Sequence, residues 1–156
     1  NITAVNDAPT VASANTITYV ENAAAAALNP AITVADLDNA GLASATVTIG
    51  ANFNAAQDVL AIALNPATMG NIAVASNAGG VLTLTSAGNS ATPGQFAAAL
   101  AAVTYANTSD NPTTGARTVS SVVNDGTAAG VSVATTTVNI TAVNDAPTVA
   151  SANTIT

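Results

Sequence analysis

Carboxylates dominate what this chain could do chemically. Its eight acidic residues are Asp7, Glu21, Asp36, Asp38, Asp58, Asp110, Asp125 and Asp145, set against a single cation, Arg117, with no Lys, His or Cys. They stand in turn-like words, AVNDAP, YVENA, VADLDN, AAQDVL, TSDNP and VVNDGT, and not along the alternating stretches where a solvated strand face would carry charge. Oxygen donors without nitrogen or sulfur partners suit Ca2+, which takes roughly six to eight oxygens from carboxylates, amides, backbone carbonyls and water. In VADLDN, Asp36 and Asp38 are two residues apart, so on an extended segment their carboxylates point the same way, and Asn39 adds an amide or carbonyl oxygen. For other acids turn chemistry competes with a ligand role: Asp125 in NDG reads first as a hairpin turn residue, and Asp110 in SDNP first as an Asx turn, with a ligand role as the alternative for both and for Asp58. Either Asp58 or Asp110 is the expected partner of Arg117.

The absent residue types exclude several functions. Without His, Cys or Lys there is no thiol nucleophile, no Schiff base and no ordinary Ser-His relay. A sugar hydrolase built on paired carboxylates needs stacking platforms, and the chain has no Trp, two Tyr and two Phe. No enzyme is expected. One arginine cannot neutralise a run of phosphates, so nucleic acid is not an expected partner either. The longest apolar run, Phe96 to Val103, is far below the roughly 18 residues of a membrane span. A net charge of −7 has nothing within the chain to balance it.

The elements that must position these acids are mostly strands. Period-two alternation recurs between Gly, Asn, Asp and Pro: Val47 with Ile49, Leu60 with Ile62 and Leu64, Ile72 with Val74, Leu82 with Leu84. That pattern, on a chain 49% apolar but built on Ala, Val, Ile and Leu, predicts an all-β antiparallel sandwich. Arg117 to Val123 and Gly130 to Val143 form a hairpin on this reading, with a switch of inward face near Thr135 to Thr137, because Val131 and Val133 are odd-numbered while Val138 and Ile140 are even. One short helix is expected in TPGQFAAALAAVTY, with Thr92 as N-cap, Pro93 at the first position, Gln95 closing a capping box, and Phe96, Leu100 and Val103 on one face. It should lie as a lid over one edge or end of the sandwich. The pentad Ala23 to Ala27 is too short for an independent helix and reads as a loop.

The words NITAVNDAPTVASANTIT occur twice, at 1–18 and at 139–156. An offset of 138 residues is the size of a domain, so residues 8–145 form one module, 1–7 the end of a preceding one with its linker, and 146–156 the first strand of the next. VNDAP, YVENA, VADLDNAGLASATVTI, QDVLAI, the short helix, VTYANTSDNP and RTVSSVVNDGT, in that order, resemble the cadherin-like, Ig-like tandem repeats of very large bacterial surface adhesins. The resemblance spans essentially the whole period. It implies secreted, extracellular β-sandwiches in tandem whose joints are stiffened by Ca2+, with neighbouring identical repeats as partners. Glu21 resembles the glutamate near the first strand, Asp36 and Asp38 the paired acids, and Asn6 with Asp7 the linker pair, which recurs as Asn144 with Asp145. Ala4 and Ala8 stand where a cadherin linker carries further ligands, so one or two ions per joint are expected, at least one shared by Asp36, Asp38 and the linker carboxylate. A spacer of this kind would set reach and stiffness. Two rival readings accompany it: a self-assembling filament or surface layer whose Thr-rich faces pack against lateral copies, and a calcium-dependent glycan-binding module.

Overall fold

The computed structural model describes residue 3 and residues 5–149, and within them the chain is an all-β sandwich with two short helices. The strands are β1 (Thr10–Ala12), β2 (Ala14–Val20), β3 (Ala26–Ala27), β4 (Thr33–Ala35), β5 (Ser44–Ile49), β6 (Asp58–Ile62), β7 (Ile72–Ala78), β8 (Val81–Ser86), β9 (Val103–Asn107), β10 (Arg117–Asn124) and β11 (Ala134–Thr141). A six-stranded sheet in the order β2-β11-β10-β5-β8-β7 forms one layer. Facing it are the three-stranded sheet β3-β9-β6 and the two-stranded pair β1-β4.

One apolar core joins the layers. Val47, Leu82, Leu84, Val119, Val123 and Val138 of the large sheet are buried together with Leu60, Val103 and Tyr105 of the small one. Their partners in sequence, mostly Thr and Ser, face outward, so period-two patterning is what separates core from surface. Val74 shows where that rule stops. It lies opposite Leu84 in register, yet it is 43% exposed, because β7 is an edge strand with little beyond it to cover an inward side chain. Leu64 lies past the end of β6 and is also exposed.

Helix α2 (Pro93–Ala101) has the anticipated capping box: Gln95 N–H donates to Thr92 Oγ1, and Thr92 N–H to Gln95 Oε1. Phe96, Ala99 and Leu100 are its buried face, while Val103 already belongs to β9. A second helix, α1 (Pro66–Met69), was not expected. Asn65 caps it by accepting from Ala67 N–H, and the pairing of Asn with Pro at its start is the signal that sequence reading passed over. Of the pentad read as a loop, Ala26 and Ala27 pair with β9 as β3.

The expected switch of face in the last strand is absent. β11 pairs without interruption from Ala134 to Val138 with β10 and from Thr135 to Thr141 with β2. Val131 and Val133 are 79% and 54% exposed and precede the strand, so their parity carries no structural meaning. The crossing from layer to layer occurs instead in the first strand: β1 pairs antiparallel with β4, and one residue later β2 pairs parallel with β11. Ser13 is the hinge residue, its hydroxyl donating to Asn29 Oδ1 while its carbonyl accepts from Thr135 N–H. The one register irregularity among the described ladders is in β7, between Val74 and Ser76.

Arg117 and Asp58 form a fully buried ion pair, Nε to Oδ2 3.1 Å. The same carboxylate accepts from Tyr105 Oη at 2.6 Å, Asn107 Nδ2 at 3.0 Å and Asn54 N–H at 2.8 Å. Arg117 spends its other donors on the carbonyls of Thr113 and Gly115 and on Thr113 Oγ1. Burial, and after it the bond to Asp58, pushes the Tyr105 hydroxyl well above its usual range, so it remains a donor. Removing one partner leaves the other as an uncompensated charge in the core. Arg117→Met is therefore expected to cost about 3–5 kcal/mol in chemical denaturation; a loss below about 1 kcal/mol would show that the pair is dispensable.

Candidate functional site

Six of the eight acids collect at the two ends of the sandwich, all but Asp58 and Asp110. β10 runs antiparallel to β11, so the end of β10 and the start of β11 share one end; β1 and β4, also antiparallel, bring the residues before β1 next to those after β4. Asp125 follows β10, Asn6 and Asp7 precede β1, and Asp36, Asp38 and Asn39 follow β4. β2 and β11 are parallel, so Glu21 and the residues 142–145 leave together from the opposite end.

At the first end, Asp36 makes a turn and not an extended pair with Asp38. Its Oδ1 accepts from Asp38 N–H at 3.1 Å and Asn39 N–H at 2.8 Å, which bends the chain and leaves Leu37 89% exposed. An Asx turn thus stands where an extended segment with both carboxylates on one side was expected. Asp38 Oδ2 then accepts from Asp7 N–H at 3.2 Å, so the linker's backbone, and not the Asp7 carboxylate, makes this contact. The Asn39 amide nitrogen sits among three oxygens, Asn6 Oδ1 at 3.1 Å, Asp38 Oδ1 at 3.2 Å and Asp125 Oδ2 at 3.4 Å.

Asp125 belongs to this cluster as well as to its turn. Oδ1 accepts from Thr127 and Ala128 N–H, as a turn residue should, while Oδ2 accepts from Asn6 Nδ2 at 2.8 Å. The sequence favours the turn over a ligand role, because nothing local links residue 125 to residue 6. Gly126, at φ 99°, follows it in a conformation that favours glycine. The acceptor bonds from Ala128, and after them those from Asn6 and Thr127, hold the Asp125 carboxyl below the ordinary carboxylate range against an opposing desolvation. Asp110 is exposed and lies in no such group; the turn at TSDNP is closed by Ser109 Oγ, which accepts from Asn111 N–H.

At the other end, Glu21 is only 6% exposed. Its N–H donates to Thr141 O, and its Oε2 accepts from Val143 N–H at 2.7 Å, which ties the chain as it leaves β11 toward Asn144 and Asp145. Both of these are exposed, and Asn144 Nδ2 donates to Asp145 O just as Asn6 Nδ2 does to Asp7 O. Glu21, Asn144 and Asp145 are thus on a different end from Asp36, Asp38 and Asn39. The anticipated first strand of a following module falls mostly on residues 150–156, which lie outside the described residues, as do residues 1, 2 and 4 of the preceding linker.

Two buried side-chain oxygens among the described residues have no hydrogen-bond partner: Glu21 Oε1 and Asp36 Oδ2. There is one at each end, and both belong to acids that the sequence had singled out. Among the described residues no three acidic side chains stand close enough together to hold a metal ion as they are placed. The donor set nonetheless fits a hard cation, since each end offers carboxylate and amide oxygens and an orphaned carboxylate oxygen, with no nitrogen or sulfur ligand. No protein-family description, curated protein or solved structure matches this chain.

Because the folded Asp125 carboxyl ionises below its unfolded value, its contribution is present above the ordinary carboxylate range and is lost as pH falls through the folded value. Asp125→Asn should therefore flatten the acid limb of the stability profile below about pH 4. Identical acid limbs for the variant and the parent, measured by denaturation at a series of pH values, would contradict the assignment.

Proposed function

We propose that this chain is a structural spacer module of a long extracellular protein, joined end to end with copies of itself, and that Ca2+ stiffens the joints. The observation that carries this reading is the pair of unpartnered buried oxygens, Glu21 Oε1 and Asp36 Oδ2, at opposite ends of one sandwich. A buried carboxylate oxygen without a donor is costly unless a cation or water completes it. Asp36, Asp38 and Asp125, with the amide oxygens of Asn6 and Asn39 and the carboxylate of Asp7, would hold ions at the entry end. Glu21 with Asn144 and Asp145 would do so at the exit end. In an array the exit end of one module meets the entry end of the next, because Asn144 and Asp145 repeat Asn6 and Asp7.

A bound cation supplies positive charge where the chain has none and bridges oxygens from two bodies. The protein's part is to hold those oxygens in place. The Asx turn at Asp36 fixes its carboxylate, the turn at Asp125 fixes another, and the Glu21 bond to Val143 aims the linker. Without the cation, like charges at the joint repel and the angle between modules is free. Extracellular Ca2+ is abundant enough for oxygen-only sites of modest affinity, which supports a location outside the cell. No helix among the described residues is long and apolar enough to cross a membrane. The role we propose is non-enzymatic, on the ground that the sequence holds no Lys, His or Cys.

Calcium titration tests the reading. Saturation at about 100 times the dissociation constant should stabilise the module by about 2.7 kcal/mol per site, raising Tm. A chain of two consecutive repeats should become longer and stiffer by small-angle scattering. Asp36→Asn combined with Asp38→Asn should abolish the thermal response at the entry end. A Tm and a scattering profile unchanged between chelator and about 10 mM Ca2+, well above the range of weak extracellular sites, would reject the proposal.

A further inference from the structure

The outward face of the six-stranded sheet carries no charged side chain at all. In one row across the sheet, Thr16 of β2, Thr137 of β11 and Thr118 of β10 lie opposite one another; in the next, Thr135, Ser120 and Thr48 do so across β11, β10 and β5. The remaining outward positions of β5 and β8 are Ser, Thr and Val, and those of β7 are Ala and Ser. These residues are half-buried or exposed. A solvated sheet face usually carries Lys and Glu, which keep neighbouring sheets apart. Here a chain of net charge −7 has placed every acid elsewhere: at the two ends, in the Asp110 loop, or in the buried pair.

We infer that this face is a docking surface for a second copy of the same chain, packed sheet against sheet. Three features select that occupant. Hydroxyls both donate and accept, so a Thr and Ser face is complementary to itself, whereas a charged partner would find nothing to pair with. Both copies keep their negative charge off the interface, so contact buries no unpaired carboxylate. The β-branched Thr and Val side chains present methyl groups in rows that interdigitate when sheets stack about 10 Å apart. Six strands about 4.8 Å apart, each contributing about five residues, give roughly 450–500 Å² per copy, or about 900–1,000 Å² in total. That falls short of the roughly 1,200 Å² of a stable interface, so a single module associates weakly. In a chain of repeated modules, as proposed above, many such faces act together, and weak contacts sum to firm lateral bundling.

Sedimentation analysis of this chain from about 5 µM to about 1 mM tests the inference, because a weak interface populates a dimer only in the upper part of that range. A concentration-dependent dimer is expected in chelator as well as in Ca2+, since the face holds no carboxylate, and added NaCl should strengthen it by screening the acidic ends. Ser120→Glu, at the centre of the face, should raise the dimer dissociation constant at least tenfold; Thr46→Glu serves the same purpose if the first variant does not fold. Val59→Glu, exposed on β6 in the other layer, should leave association unchanged. A protein that stays monomeric at about 1 mM, a dimer insensitive to both face charges, or one weakened equally by Val59→Glu would overturn it. Loss of association in chelator alone would assign the contact to the acidic ends and also overturn it. The calcium joints stand or fall separately, on the thermal response.

Discussion

The single cation of this chain is buried, and the sandwich is organised around it. Arg117 in the large sheet and Asp58 in the small one meet across the core, and Tyr105, Asn107 and Asn54 satisfy what remains of the carboxylate. A desolvated pair contributes little net stability compared with apolar packing, but it tolerates only one arrangement of the elements that supply its donors. β6, β9, β10 and the loop from Thr113 to Gly115 are all held to it. The apolar core around it is mostly aliphatic Leu, Ile, Val and Ala, with Phe96, Tyr19 and Tyr105 as its aromatic members. The hydrogen-bonded charge adds a directional constraint that such non-directional packing lacks.

Confining the only cation to the interior leaves the remaining acids without a protein counter-charge. Their placement follows from the architecture: strand faces are given to core or to hydroxyls, so carboxylates occupy the turns, and the turns lie at the two ends. There the backbone N–H groups of residues 38, 39, 127 and 128 stabilise Asp36 and Asp125 locally. The residues that close the turns are thus also the ones that meet across the end of the sandwich. This is why Asp125, assigned to its turn from its immediate neighbours, also belongs to a group reaching back to Asn6.

Features set by a few adjacent residues were legible in the sequence. The capping box of Thr92 and Gln95, the alternation of Val47 with Ile49, the hairpin of β10 with β11, and the choice of Asp58 or Asp110 for Arg117 all followed from local spacing, and burial resolved the last in favour of Asp58. Features set by distant pairing were not. Val131 and Val133 alternate as a strand would, but no neighbouring strand pairs with them in a ladder. The layer switch at Ser13 has no composition signal because Ser is at home in either conformation. Likewise, the side of the sandwich on which Glu21 ends up depends on β2 lying parallel to β11, a choice made over more than a hundred intervening residues.

That parallel pairing has a mechanical consequence. The chain enters the large sheet through β2 and leaves it through β11, and seven residue pairs in register, from Thr135 with Ala14 to Thr141 with Val20, connect the two. A pull on the two termini acts along these strands in opposite directions, so the rungs of the ladder share the load in shear and do not peel apart one at a time. Resistance to extension then depends on the height of a single barrier, and a tether made of such modules would hold at full length until one of them yields.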